Sequence, residues 1–102
     1  MSALEDTFAL QLRAAGLKFE REVGVIPKRK FRHDFRITGT NLLIEVQGGV
    51  FVKGAHSTGL GITRDATKNN LAVLAGFRVL YVTAQHIKSG EALGWVMAAL
   101  EE

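Results

Sequence analysis

The run Phe31-Arg32-His33-Asp34-Phe35-Arg36-Ile37, the tetrapeptide Thr38-Gly39-Thr40-Asn41 and the run Leu42-Leu43-Ile44-Glu45-Val46-Gln47 constrain the fold more than any other part of this chain. Two alternating segments that flank a cluster of turn-forming residues read as a β-hairpin. With the turn at Thr38-Gly39-Thr40-Asn41, Ile37 faces Leu42, Phe35 faces Ile44 and His33 faces Val46, so one side of the pair is mostly apolar. The same register sets Asp34 opposite Glu45. Directly opposed Cβ atoms lie about 4.5–5.5 Å apart, and like charges there are destabilising unless something positive sits between them. Two acids at matching positions therefore mark a candidate divalent-metal site.

The rest of the chain supplies the surroundings of that hairpin. Ser2 followed by Glu5 has the form of a capping box, and Leu4, Phe8, Leu12 and Ala15 recur at helical spacing up to Gly16. Residues 18–25 alternate as a strand, with Arg21 as the misfit among Phe19, Val23 and Val25, and Pro27 ends it. The stretch 48–61 holds five glycines and no sustained periodicity, which suits a long functional loop. Thr63 is placed to cap a second helix running through Ala75, with Leu71 and Leu74 toward the core and Gly76 as its stop. Arg78–Thr83 reads as a short buried strand. A last helix from about Ser89 to Leu100 is expected to bury Leu93, Val96, Met97 and Leu100, and Trp95 among them suits a core or a subunit interface. The order helix, three strands, helix, strand, helix predicts an α/β sandwich with a mixed sheet covered by helices, built as one domain over residues 1–102.

Composition narrows the partners. The chain has no cysteine, so it has neither a disulfide framework nor a thiolate metal site, and a reducing cytoplasm is compatible with it. No apolar run approaches a membrane span, and the first six residues lack the basic and apolar regions of a secretory signal, so a soluble, cytoplasmic protein is expected. A net charge of +3 is modest, but the excess gathers in Lys28, Arg29, Lys30, Arg32 and Arg36, beside the paired acids, and Lys53 follows in the glycine-rich stretch. Cations next to carboxylates suit a polyanion gripped by its phosphates, and the rival reading is a solvated basic loop.

Hydrolysis of a phosphodiester needs charge neutralisation at phosphorus and a positioned water. Asp34 and Glu45, with a backbone carbonyl near Val46, offer the hard oxygen ligands that magnesium prefers, and manganese accepts the same set. Gln47 shares their face and is able to orient a water without taking its proton. The competing explanations are an ion pair of Asp34 with Arg32 or Arg36, and of Glu45 with Lys18 or Lys53.

An acid on the second strand, an acid-x-polar element on the third and this order of elements resemble the PD-(D/E)XK nuclease superfamily. More narrowly, Ile44-Glu45-Val46-Gln47-Gly48-Gly49, then His56, then Arg64-Asp65-Ala66-Thr67-Lys68-Asn69, then Ala75-Gly76-Phe77-Arg78-Val79-Leu80 is similar to the branch of very-short-patch-repair-like and EDxHD endonucleases. The resemblance covers nearly the whole chain. It implies a restriction-endonuclease-like α-β-β-β-α-β(-α) core and a metal-dependent DNA endonuclease. Carried over by position, it implies Glu5 as the acid on the first helix, Asp34 as the metal ligand on the second strand, His56 as the loop histidine and Asp65 as the acid opening the second helix.

Each assignment has a structural alternative. Glu5 also fits as the capping-box partner of Ser2, Asp65 suits a helix N-terminus on dipole grounds, and Lys68 suits a solvated helix face. The sequence departs from the superfamily pattern at Gln47, where a lysine usually follows the third-strand acid by two residues. Lys68 or Lys53 then stands as a replacement ammonium, or His56 carries proton transfer. A domain this small implies either a homodimer or a separate specificity partner for double-strand cleavage. A junction resolvase and a binding module that has lost turnover remain as alternatives.

Overall fold

The computed structural model of the protein describes residues 2–47 and 59–101, so His56 and Lys53 lie outside the described residues. Helix α1 (Ala3–Ala14) is followed by strands β1 (Phe19–Val23), β2 (His33–Ile37) and β3 (Leu42–Gln47). Helix α2 (Gly59–Leu74), strand β4 (Arg78–Thr83) and helices α3 (Ala84–Ser89) and α4 (Glu91–Leu100) complete the order. The four strands form one sheet in the order β1-β2-β3-β4, with β1/β2 and β2/β3 antiparallel and β3/β4 parallel. A parallel pair needs a crossover, and α2 supplies it. The architecture is the mixed sheet flanked by helices that the element order predicts.

The hairpin forms in the expected register, with Phe35 opposite Ile44 and Arg36 opposite Leu43. Its turn is closed locally: Thr40 donates its N–H and its hydroxyl to the Ile37 carbonyl, and Gly39 takes the left-handed conformation at φ +80°. Asn41 then sets the parallel pair, because its carbonyl accepts from Arg78 N–H at 2.8 Å and its side-chain amide donates to the Gly76 carbonyl at 2.9 Å.

Helices α1, α3 and α4 bury Phe8, Leu12, Ile87, Ala92 and Val96 against Phe35, Ile37, Leu42, Ile44 and Val82 of the sheet. Phe35 is central, meeting Phe8 edge-on at 5.4 Å and Phe19 at 5.6 Å. Four successive residues of β3, Leu42 to Glu45, are buried. A strand covered on both faces gives that pattern.

Several expectations change. Arg21 does not break β1: its guanidinium lies 5.2 Å from the centre of the Phe35 ring and its Nη1 reaches Asp6 at 3.0 Å, so an inward arginine is held by a ring face and a carboxylate, while its Nε and Nη2 find no hydrogen-bond acceptor among the described residues. Helix α2 begins at Gly59, ahead of Thr63, and buries Asn69 and Ala72, whereas Leu74 is 83% exposed. The expected final helix corresponds to α4, and a further short helix, α3, precedes it. Thr83 and His86 form a reciprocal cap that starts α3, and Gly90 at φ +88° ends it before α4. Met97 and Trp95 stay partly exposed, the Trp95 ring packing edge-on against His86 at 4.7 Å. No helix among the described residues is long and apolar enough to cross a membrane.

Candidate metal and nuclease site

The backbone ladder of the hairpin stops short of Asp34 and Glu45, and their side chains take over from it. Asp34 N–H donates to Glu45 Oε2 at 3.0 Å, while Val46 N–H donates to Asp34 Oδ2 at 2.8 Å. Each acid thus satisfies a donor on the other strand. The paired acids are present as the register implied, with the Val46 backbone beside them.

Two further acids enter from the neighbouring elements. Glu5 on α1, Glu22 at the end of β1 and Asp34 on β2 each offer a carboxylate oxygen, and these lie within 4.8 Å of one another. Ser2 caps α1 by accepting from Glu5 N–H at 3.1 Å, but the Glu5 carboxylate turns toward Arg21, with Oε1 3.6 Å from the guanidinium. That oxygen is buried and has no hydrogen-bond donor. Glu22 adopts φ +54°, a conformation costly for a residue with a Cβ, and it was not singled out from the sequence. Alternation alone puts Glu22 on the outer face of β1 with Lys18 and Glu20; no sequence signal announces the left-handed twist.

The electrostatics are those of crowded acids. Burial, then the charges of Asp34 and Glu22, hold the Glu5 carboxyl above its ordinary range despite Arg21. Burial also raises Asp34, although the Val46 N–H and Lys68 pull the other way. An oxygen that has no hydrogen-bond donor and meets the Arg21 guanidinium only at 3.6 Å, within a set of hard, mutually repelling oxygens, fits magnesium or manganese, whose octahedral shells place neighbouring oxygens about 3–4 Å apart.

Glu45 is engaged differently. Its Oε1 takes a short 2.5 Å ion pair from Lys68 Nζ, and that ammonium also donates to the Arg32 carbonyl at 3.0 Å. Both side chains are largely buried, at 13% and 9% exposed. Burial raises the Glu45 carboxyl while Lys68 opposes the shift. Among the described residues, then, Glu5, Glu22 and Asp34 form the carboxylate triad, and Glu45 adjoins it as the counter-ion of a lysine delivered by α2.

Of the other candidates, Gln47 ends β3 opposite Thr83 of β4, and Asp65 is exposed in the second turn of α2. Because α2 starts at Gly59, a helix-terminus role no longer explains Asp65. Lys28, Arg29, Lys30 and Arg32 are exposed in the β1–β2 connection. There Pro27 and Lys28 occupy the corners of a turn closed from Arg29 N–H to the Ile26 carbonyl, with Lys28 at φ +65°. Arg36 is occupied elsewhere, donating to the Thr40 carbonyl and lying 5.2 Å from the Phe77 ring centre.

The α/β architecture with a four-stranded mixed sheet between helices is a nuclease-like fold. Among solved structures the chain is similar to the homing endonuclease I-Bth0305I catalytic domain, with a TM-score of 0.71 and 17% sequence identity over 96% of this chain and 92% of that one. No protein-family model matches the sequence, and no curated protein does.

Proposed function

We propose that this chain is a metal-dependent DNA endonuclease of PD-(D/E)XK type, close in design to the EDxHD branch. The observation that carries the reading is the meeting of Glu5, Glu22 and Asp34 within 4.8 Å, beside the Lys68–Glu45 pair. Its occurrence on the fold of a homing endonuclease catalytic domain supports the same conclusion.

In this reading Glu5, Glu22 and Asp34 would hold a magnesium or manganese ion. Bound there, the ion would supply Lewis-acid neutralisation of a phosphate and make water a stronger nucleophile. Asp34 is kept in place by the Val46 N–H, so one of its oxygens is fixed and the other is left for a ligand. Lys68 stands in for the strand lysine that Gln47 replaces. An ammonium has three donors, and Glu45 and Arg32 take two, leaving one for a phosphate oxygen or a water. Gln47, at the end of β3, and His56 serve to orient water and to move its proton, and Asp65 lines the approach from α2. Lys28, Arg29, Lys30 and Arg32, with Lys53, grip the flanking phosphates. A chain of this size covers little duplex, so a second copy or a specificity partner completes double-strand cleavage.

The test is cleavage of supercoiled, linear, single-stranded and branched DNA with magnesium or manganese, with Asp34→Ala alongside the wild type. Metal-dependent cleavage that disappears in the variant is expected. Equal cleavage by both proteins refutes the site, and binding without cleavage by the wild type moves the reading to a binding module.

A further inference from the structure

The geometry of α2 assigns a task to two buried polar residues outside the carboxylate triad. His33 is fully buried, and its Nε2 lies 3.1 Å from Oδ1 of Asn69, itself only 7% exposed. The amide oxygen can only accept, so Nε2 carries the proton. The Asn69 side chain also lies near the Tyr81 phenol on β4.

Two adjacent residues of α2 therefore hold two adjacent residues at the entry to β2, Arg32 just before the strand and His33 its first residue. Lys68 reaches the Arg32 carbonyl and Asn69 reaches the His33 ring, immediately before Asp34. Among the described residues the apolar contact of the helix is narrow. Of its side chains only Asn69 and Ala72 are buried, while Leu60, Ile62, Val73 and Leu74 are exposed. A helix with so narrow an apolar contact can slide or roll on the sheet, and lysine is long enough for its ammonium to follow. The directional Asn69–His33 hydrogen bond sets the register that apolar packing leaves loose.

We propose that His33 and Asn69 are positioning residues that clamp α2 to β2 so that the Lys68 ammonium stays on Glu45 beside the carboxylate triad. The catalytic part of this inference rests on the nuclease reading, whereas the clamp itself does not.

The experiment compares His33→Leu, His33→Gln and Asn69→Leu in the wild-type and Lys68→Met backgrounds, using the full chain. Cleavage is measured at saturating magnesium, and the Lys68 side-chain ammonium is followed by nitrogen-detected NMR. In the wild type the ammonium is expected to exchange slowly with water, because Glu45 and Arg32 hold it. Asn69→Leu and His33→Leu should each lower kcat about tenfold, the loss of roughly one buried hydrogen bond, and should abolish the slow-exchanging signal. His33→Gln, which restores a donor near the Nε2 position, should recover kcat to within about threefold of wild type. In the Lys68→Met background, Asn69→Leu should cause no further loss, because residues acting through one another are not additive.

A full additional loss in that background overturns the proposal, as does an unchanged ammonium signal in Asn69→Leu. Should His33→Leu fail to fold, Asn69→Leu decides, since it places an apolar group in a buried position. If the wild type cuts no substrate, the nuclease reading fails, and the ammonium spectrum alone decides the clamp.

Discussion

Replacing Lys68 with methionine isolates the energetics of the buried pair. The substitution keeps the length of the stem and removes the charge, leaving Glu45 9% exposed with Asp34 as its charged neighbour. Glu45 then has two options at neutral pH. It stays ionised without a counter-ion, which costs about 3–5 kcal/mol for a broken buried pair, or it takes up a proton. Proton uptake at pH 7, from an unfolded-state pKa of 4.5, costs about 3.4 kcal/mol at about 1.36 kcal/mol per unit, and this caps the loss. For a domain of about 100 residues the cap corresponds to a fall in Tm of roughly 14–27 °C. The sign of the pH dependence follows from the direction of the shift. Without Lys68 the folded pKa rises further, so the folded state holds a proton that the unfolded state has released. Stability is fully retained below the unfolded value and is lost as pH rises through the folded one. Thermal unfolding between about pH 4.5 and 8 should therefore show a deficit, relative to wild type, that grows with pH at up to about 1.4 kcal/mol per unit. Adding Glu45→Gln should remove the slope. A deficit that is flat across this range, or smaller than about 1 kcal/mol at pH 7, refutes the argument.

Magnesium or manganese at about one hundred times its dissociation constant should stabilise the wild type by about 2.7 kcal/mol, and Glu22→Gln or Asp34→Asn should remove most of that gain in a thermal-shift titration. The gain should shrink toward acid pH, because Glu5 and Asp34 are held above their ordinary range and protons compete there for the same oxygens. Asp34→Asn should lower cleavage by about a hundredfold or more while unfolding no more easily than wild type without metal, since an amide oxygen still accepts from Val46 and one repulsive charge is gone. Neutralising Lys28, Arg29 and Lys30 together should reduce the slope of log affinity against log salt by about 2.7 in a DNA-binding titration, if each contacts one phosphate. Gly24→Ala builds a Cβ 2.7 Å from the Arg32 guanidinium; a flexible side chain yields to it, so unfolding should barely change while DNA affinity falls.

The hairpin was legible because its period, its turn residues and its matched acids all specify one register, and a slip by one residue would turn Phe35 and Ile44 outward. Helix α1 was legible for the same reason, since Ser2, Phe8, Leu12 and Gly16 agree with one another. Helix α2 was not. Its buried positions are a polar Asn69 and a small Ala72, so apolar periodicity points to Leu74, which is exposed. Helix α3 was missed because six residues are too short to announce a helical period, and its limits rest on the Thr83–His86 cap and on the left-handed backbone of Gly90. The same holds at the site. Asp34, Glu45 and Lys68 can be found from strand register and helix spacing, whereas Glu22 enters the cluster only through its own positive φ.

That twist at Glu22 and the interrupted ladder at Asp34 belong to one physical arrangement. A regular β1–β2–β3 sheet would keep alternate side chains apart on opposite faces, and Glu5, arriving from the helical layer, would meet no strand acid. Ending the β2–β3 ladder at Phe35 and Ile44 lets Asp34 and Glu45 lie along the strand end, where they accept N–H groups that the ladder would otherwise have used. Glu22 reaches the same place by accepting a costly backbone conformation. Burial first and mutual repulsion second raise the Glu5 and Asp34 carboxyls, and Lys68, paired with Glu45, opposes the shift at Asp34 without cancelling it. A fold that tolerates strain, a carboxylate oxygen without a hydrogen-bond donor and crowded acids in one corner would be more stable with a cation in that corner, and on the nuclease reading the same charge would let that cation act on a phosphate.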